Sequence, residues 1–342
     1  MTKKFRVGLT RDILDSRGEP AFGRAALGIM DRDANLDWEY LPAIVPEIGP
    51  ELAAQYDALY VNIARVPPAA VERADCRLRV VARHGVGYDQ VDIPAMTRAG
   101  VLVTNTPTSM PRPVATTALT FILALAGKLF LKDKLTRSGR WHERMDNMGT
   151  GLSGRTLGVV GAGGIGKELM RMARVFGLKL LASDPVANDV ELGYIGARKV
   201  DLDTLMRESD FVVICCLLNE HTRHLIGAEA LAKMKPTSYL INVARGPIID
   251  EKALIQALHE RRIAGAALDV FEQEPVDPAN PLLSMDNVIV TPHSLCWTDE
   301  CFHNMASTGL RSIVDALNGR IPEFLVNRAV LQHARVAPWF RQ

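Results

Sequence analysis

"VVGAGGIGKELM" (residues 159–170) decides how this chain is read. An apolar run, "TLGVVG" (156–161), leads into Gly161, Gly163 and Gly166, and a helical pattern, "GKELMRMARVFG" (166–177), follows. Three glycines at this spacing are weak on their own, because many loops carry them. Between a strand and a helix each has its own task. Gly161 permits a tight turn, Gly163 lets a pyrophosphate approach the main chain, and Gly166 lets helix and strand pack closely. The amides and dipole of the new helix then face the phosphates. A ribose-binding acid is expected about 20 residues on, at the end of the next strand. Asp184 ends "LKLLAS" (178–183), and no lysine or arginine follows at once in "SDPVAND" (183–189). A carboxylate there would repel a 2′-phosphate, so the expected cofactor is NAD rather than NADP. The bland reading of Asp184 is a turn former before Pro185.

Working outward, short β-rich runs alternate with helical patterns on both sides of the motif. "FRVGLT" (5–10), "ALYVNI" (58–63), "LRVVAR" (78–83) and "GVLVTN" (100–105) read as strands of a first unit. "LKLLAS", "DFVVICC" (210–216), "SYLINVA" (238–244), "GAALDV" (265–270) and "NVIVTP" (287–292) follow the glycines in a second. Near-continuous apolar strands separated by helices imply parallel sheets covered on both faces. The expected fold is α/β with two Rossmann-like domains, each a doubly wound parallel sheet. At 342 residues the chain exceeds the ~250–300 a single core supports. "PTSMPRPVATTALTFILALAGKL" (107–129) reads as one long joining helix, and "DECFHNMASTGLRSIVDALNG" (299–319) as a helix returning to the first unit.

Composition narrows the function. The chain is 48% hydrophobic and 23% charged, with a formal net charge of +1, which gives no reason to expect nucleic acid or anionic membrane as a partner. The longest apolar stretch, "ALTFILALAG" (118–127), is about half a membrane span. "MTKKFRVGLT" lacks the pattern of a secretory signal, and the five irregularly placed cysteines suit a reducing compartment, so a cytoplasmic protein is expected. His221 and His224 share a helical spacing, but no third ligand is near in sequence; no metal is expected.

Open α/β sheets place reactive groups just beyond the carboxyl ends of their strands. Arg245 follows "SYLINVA", Glu274 lies shortly after "GAALDV", and His293 follows "NVIVTP". Each alone suits a turn, a solvated loop or a structural histidine. Together they match hydride chemistry on a carboxylated substrate. A histidine exchanges a proton near neutral pH, and an arginine grips a carboxylate through paired charge-assisted bonds.

The segments "GVVGAGGIG" (158–166), "INVARGPIIDE" (241–251), "ALDVFEQEP" (267–275) and "VIVTPHS" (288–294) resemble the signatures of the D-isomer-specific 2-hydroxyacid dehydrogenases. "RHGVGYDQVDI" (83–93) and "GVLVTNTPT" (100–108) resemble that family's substrate-domain segments. The resemblance implies NAD-dependent, reversible reduction of a 2-oxoacid to a D-2-hydroxyacid. Arg245 would bind the substrate carboxylate and carbonyl, His293 would act as acid and base, and Glu274 would orient its ring. Gly161, Gly163, Gly164, Ile165, Gly166, Asp184 and Asp269 would attend the cofactor. His84, Gly85, Val86 and Gly87 would join Arg245 around the substrate, with the loop amides holding its carboxylate. The NAD-binding domain (107–296) would be inserted into a discontinuous substrate domain (1–106 and 297–342), with catalysis in the cleft. A homodimer built on the stretch around 118–150 is implied as well.

Some positions depart from the family pattern. Gly164 stands where a basic or polar residue is common, and His84 where a small residue is usual. Leu295 and Cys296 replace smaller residues, and Asn62 stands where phosphate-recognising members carry arginine. His84, Arg65 and Arg112 are expected to give the pocket positive or hydrogen-bonding character, for a substrate with a second polar or anionic group. Two alternatives stay open: formate or phosphite oxidation by the same machinery, and an NAD(H)-binding corepressor or sensor on this fold.

Overall fold

The computed structural model describes residues 4–340, so the outermost ends of the expected first unit lie outside the described residues. The chain divides into two compact units: one runs to Met110 and resumes at Trp297, and the other is Pro111–Cys296.

The first unit is a five-stranded parallel sheet. Its strands are β1 (Phe5–Leu9), β2 (Leu36–Tyr40), β3 (Ala58–Val61), β4 (Val80–Arg83) and β5 (Leu102–Thr104), in the order β2-β1-β3-β4-β5. Its short helices are α1 (Gly28–Asp31), α2 (Pro50–Ala53) and α3 (Ile93–Arg98). Strand alternation sorts the core into two faces. Ala58 and Tyr60 join the cluster that holds Phe302, Met305, Leu310 and Ile313 of the helix Asp299–Leu317. Leu59 and Val61 join the opposite cluster with Leu78 and Met96. The C-terminal tail is tied into this unit. Asn327 accepts a bond from the Val103 amide at 2.9 Å and donates to the Val101 carbonyl.

The second unit has a seven-stranded parallel sheet ordered β12-β11-β10-β9-β6-β7-β8. These strands are β6 (Thr156–Val160), β7 (Lys179–Ser183), β8 (Ala197–Lys199), β9 (Phe211–Ile214), β10 (Tyr239–Asn242), β11 (Gly265–Leu268) and β12 (Val288–Val290). Its helices are α4 (Pro111–Gly127), α5 (Leu129–Arg137), α6 (Gly164–Ala173), α7 (Asp189–Ile195), α8 (Leu202–Glu208), α9 (Ala228–Ala232) and α10 (Glu251–His259). The chain moves from β6 out to β8 on one side, then crosses to β9–β12 on the other. The order therefore reverses between β6 and β9, the switch point at which such sheets bind ligands.

The structure corrects some details. The helix expected over 107–129 begins at Pro111 and breaks at Lys128, which adopts φ 51, so α4 and α5 are separate. β2 and β8, absent from the sequence reading, are edge strands of the two sheets. Among the described residues no single helix is long and apolar enough to cross a membrane. Only the α4–α5 pair, bent by 54°, passes that test together, and α4 is largely buried in its own unit.

Candidate active site

β6 delivers the chain to Gly161, whose φ of 96 lies in the region that favours glycine. A Cβ there would stand 2.5 Å from the Cys216 nitrogen, and one on Gly166 would stand 2.2 Å from the Gly161 carbonyl oxygen. Gly163, at the N-cap of α6, has no atom within 4 Å of its would-be Cβ. No side chain caps α6. An open flank beside a bare helix N-terminus fits a pyrophosphate. Gly164 is explained locally: a Cβ would lie 3.3 Å from Pro111 Cγ of α4. Ile165 lies in the first turn of α6.

Asp184, after β7, is linked to this turn. Its Oδ2 accepts from the Ala162 amide at 2.8 Å, and its Oδ1 accepts from Val186 and Ala187 at 2.9 and 3.2 Å. Lys199 of β8 also reaches the 185–189 segment, donating to the Ala187 carbonyl at 2.8 Å. Lys199 is brought here by β8 and is remote from Asp184 in the sequence, so spacing along the chain does not reveal it. Burial pushes the Cys215 and Cys216 thiols up, Cys216 to about 11, so both stay protonated at neutral pH.

Arg245, Glu274 and His293 all lie in the second unit, beyond β10, β11 and β12. His293 Nδ1 stands 2.8 Å from Glu274 Oε2. Burial alone raises the Glu274 carboxyl. The hydrogen bond and charge of His293, the Phe271 amide and the Arg245 guanidinium outweigh burial and hold it below the usual carboxylate range. Glu274 is therefore ionised at neutral pH and accepts the bond, so Nδ1 carries the proton. Among the described residues no protein group bonds Nε2. Both side chains remain partly open, 42% exposed for His293 and 36% for Glu274. His293 also adopts φ 53, a left-handed conformation that a residue with a side chain holds only when its surroundings enforce it.

Asp269 is one such enforcer. Its Oδ1 accepts from Thr291 Oγ1 at 2.6 Å and from the Ser294 and Leu295 amides at 3.1 and 3.2 Å, which pins the turn that carries His293. Grouped with the cofactor residues by resemblance, Asp269 lies across β6 from Asp184 and anchors the histidine turn. Asn242, at the buried end of β10, does the same for Arg245: it donates to the Arg245 carbonyl at 2.9 Å and accepts from the Ala244 amide at 3.0 Å. Gly246 lets that turn press on the Glu274 loop, since a Cβ would meet the Phe271 carbonyl oxygen at 1.8 Å. Asn242 and Thr291 were missed. Their signal is a polar residue at a strand exit, which the reading credited only when charged.

In the first unit, the loop after β4 is fastened from below. Asn105 Nδ2 donates to the Val86 carbonyl at 2.8 Å, and the Thr106 amide to the Gly85 carbonyl at 3.0 Å. The Gly85 amide already donates to Thr106 Oγ1 at 3.1 Å. It is thus corrected from the anion-holding set. Among the described residues the Val86 and Gly87 amides have no protein acceptor.

The expectation for the His84 side chain is corrected too. The ring is 3% exposed, packs against Phe22, Tyr60 and Phe302, and bonds the Tyr60 hydroxyl through Nδ1. Burial, reinforced by the Arg83 charge, pushes its pKa down to about 3, so it is neutral and brings no positive charge. Arg65 and Arg112 are exposed and paired with Glu47 and Glu168. Asn62 is buried, and its Nδ2 has no partner. His221 lies exposed beside Glu220, and His224 pairs with Glu272.

Residues 119–294 match the profile of the D-isomer specific 2-hydroxyacid dehydrogenase, NAD binding domain. The chain is 40% identical over 300 residues to a glyoxylate reductase of Thermococcus onnurineus, covering 86% of this chain and 90% of that protein. It is also 40% identical over 277 residues to a D-3-phosphoglycerate dehydrogenase of Synechocystis, covering 81% of this chain and 50% of that longer protein. Among solved structures, a glyoxylate reductase from Paecilomyes thermophila superposes with a TM-score of 0.81 at 29% identity, over 96% of this chain and 99% of that one.

Proposed function

Because the chain belongs to the D-isomer-specific 2-hydroxyacid dehydrogenase family and is an NAD-dependent oxidoreductase interconverting 2-oxoacids and D-2-hydroxyacids, we propose that Arg245, Glu274 and His293 are its catalytic set. We further propose that its substrate is a small 2-oxoacid of the glyoxylate or hydroxypyruvate kind. The observation that carries the assignment is the 2.8 Å contact between His293 Nδ1 and an ionised Glu274.

When bound on the Gly161–Gly166 cradle, NADH supplies the hydride. Charged His293 gives the Nε2 proton to the substrate oxygen in reduction, and neutral His293 takes it back in oxidation. Glu274 accepts from Nδ1 and orients the ring. Arg245 binds the carboxylate. Asp184 receives the adenosine ribose, and Asp269 keeps the His293 turn in place. The glyoxylate reductase relative supports a small substrate. Neutral, inward-facing His84 and paired Arg65 argue against a strongly anionic second group.

The protein acts as a homodimer through the exposed apolar surface of α4, α5 and residues 141–148, where Leu129, Phe130, Trp141, Met145 and Met148 lie open. Cys76, Cys215 and Cys216 are free thiols, which supports a cytoplasmic place.

The test is an NADH-oxidation screen with glyoxylate, hydroxypyruvate, pyruvate and dicarboxylic 2-oxoacids. The reading expects the highest kcat/KM on one of the two smallest polar acids. Tight NADH binding with no turnover on any of them would replace it with a sensor.

A further inference from the structure

The loop that carries Glu274 is held by residues the reaction itself does not use. Glu251 opens α10, next to its N-cap Asp250. Its Oε2 accepts from the Glu272 amide at 2.9 Å, and its Oε1 accepts from Asn280 Nδ2 at 2.7 Å. One carboxylate thus ties the two sides of the loop bearing Glu274. Glu272 is gripped a second time, since its Oε1 stands 2.6 Å from His224 Nε2. The grips share a base. The His224 amide donates to the Pro247 carbonyl at 2.8 Å, and Ile226 bridges Ile249, so the His224 segment lies along the stretch joining Arg245 to Glu251. The adjoining Phe271 amide donates to Glu274 Oε1 at 3.0 Å, and the Phe271 carbonyl abuts Gly246.

We infer that Glu251 is a positioning residue for catalysis: by clamping Glu272 and Asn280 it holds the Glu274 carboxylate against His293 Nδ1. This rests on the assignment of His293 and Glu274 above. Glu274 is one-third exposed and sits on a loop outside regular structure, so packing alone does not fix it. A half-buried carboxylate accepting from both sides of the loop removes that freedom. The charged groups facing Glu274 are His293 and Arg245, while Glu272 faces His224. Loosening the clamp weakens the His293 contact and leaves burial, which raises the Glu274 carboxyl, less opposed.

Two variants test this. Glu251→Gln replaces one acceptor by an NH2 that faces a donor. Asn280→Asp turns a donor into a carboxylate facing Glu251 and keeps the Oδ1 that accepts from the Leu282 amide. Expected for each is a fall in kcat between about 10- and 100-fold. NADH affinity should be unchanged, because the glycine turn is untouched. The acid limb of the kcat/KM profile should move to higher pH. The Nδ1 proton resonance of His293, identified by its loss in His293→Asn, should broaden in both variants; this readout does not require turnover. If Glu251→Gln does not fold, Asn280→Asp decides. Folded variants with the parent pH profile and a sharp Nδ1 resonance would overturn the clamp. Lack of 2-oxoacid turnover in the parent would instead remove the catalytic assignment, with the resonance still testing the clamp.

Discussion

His293 and His84 show how much an imidazole's surroundings decide. Both follow parallel strands, β12 and β4, yet one is an open ring held by a carboxylate and the other a sealed ring held by a hydroxyl. The first prediction is that His293→Asn lowers kcat in both directions by about 10²- to 10⁴-fold while NADH still binds, measured by steady-state kinetics and fluorescence titration. The second concerns stability. His84 titrates at about 3 in the folded chain and near its ordinary 6.5 when unfolded, so between these values the unfolded chain binds a proton that the folded chain does not. Its contribution is complete above about 6.5 and declines as pH falls toward about 3, by roughly 1.4 kcal/mol per pH unit. His84→Gln, which cannot titrate there, should flatten the loss of urea stability between pH 6 and pH 4; equal slopes for parent and variant would refute the sealed, neutral ring. The places of Arg245, Glu274 and His293 beyond consecutive strands were legible because charged residues at strand exits are conspicuous in a linear sequence. The inward turn of His84 was not, because it depends on Phe22 and Phe302, which are remote in sequence.

At the scale of elements, legibility followed burial. Central strands such as β9 and β10, buried along their whole length, read as unbroken apolar runs. β8, "ARK", is a three-residue edge strand with one buried side chain, and its short run gives no period to detect. α7 and α8 are only seven residues each, and their signal lies in the caps: Asn188 accepts from the Val190 and Glu191 amides, and Asp201 from Thr204. The Lys128 break in α4–α5 carries no proline or glycine at the residue that turns, so a helical reading ran through it. The glycine turn shows what spacing does encode, and it yields a paired prediction. Gly163→Ala meets open space, so it should melt like the parent but bind NADH more weakly, by about 10-fold or more where a methyl group blocks the pyrophosphate. Gly166→Ala drives a Cβ into the Gly161 carbonyl and should lose about 1–3 kcal/mol of stability whether or not NADH is present. Calorimetry with and without NADH separates the two; identical behaviour would mean that the glycines do not divide their tasks as proposed.

For the whole molecule, the helix Asp299–Leu317 has an apolar face but no following strand to cover in the second unit, and Phe302, Met305, Leu310 and Ile313 on it cluster with the first sheet. What remains uncovered lies elsewhere. Exposed apolar side chains are ordinary when scattered, but Leu129, Phe130, Trp141, Met145 and Met148 fall within twenty residues of one unit. Phe130 and Trp141 are 60% and 63% exposed, and aromatic residues are the side chains that interfaces favour. The break at Lys128 turns α5 away from α4, which is itself packed on α6 and on β10, so the patch stands beside the elements that carry the glycine turn and Arg245. A second copy covering it would brace those elements. The melting temperature of the parent should therefore rise with protein concentration, as mass action requires of an associating fold. Phe130→Asp combined with Trp141→Asp should sediment as a monomer, melt at a temperature independent of concentration, and retain NADH binding, because the turn and its ribose acid belong to the same unit as the patch. A double variant that still sediments at twice the chain mass would move the contact to another face.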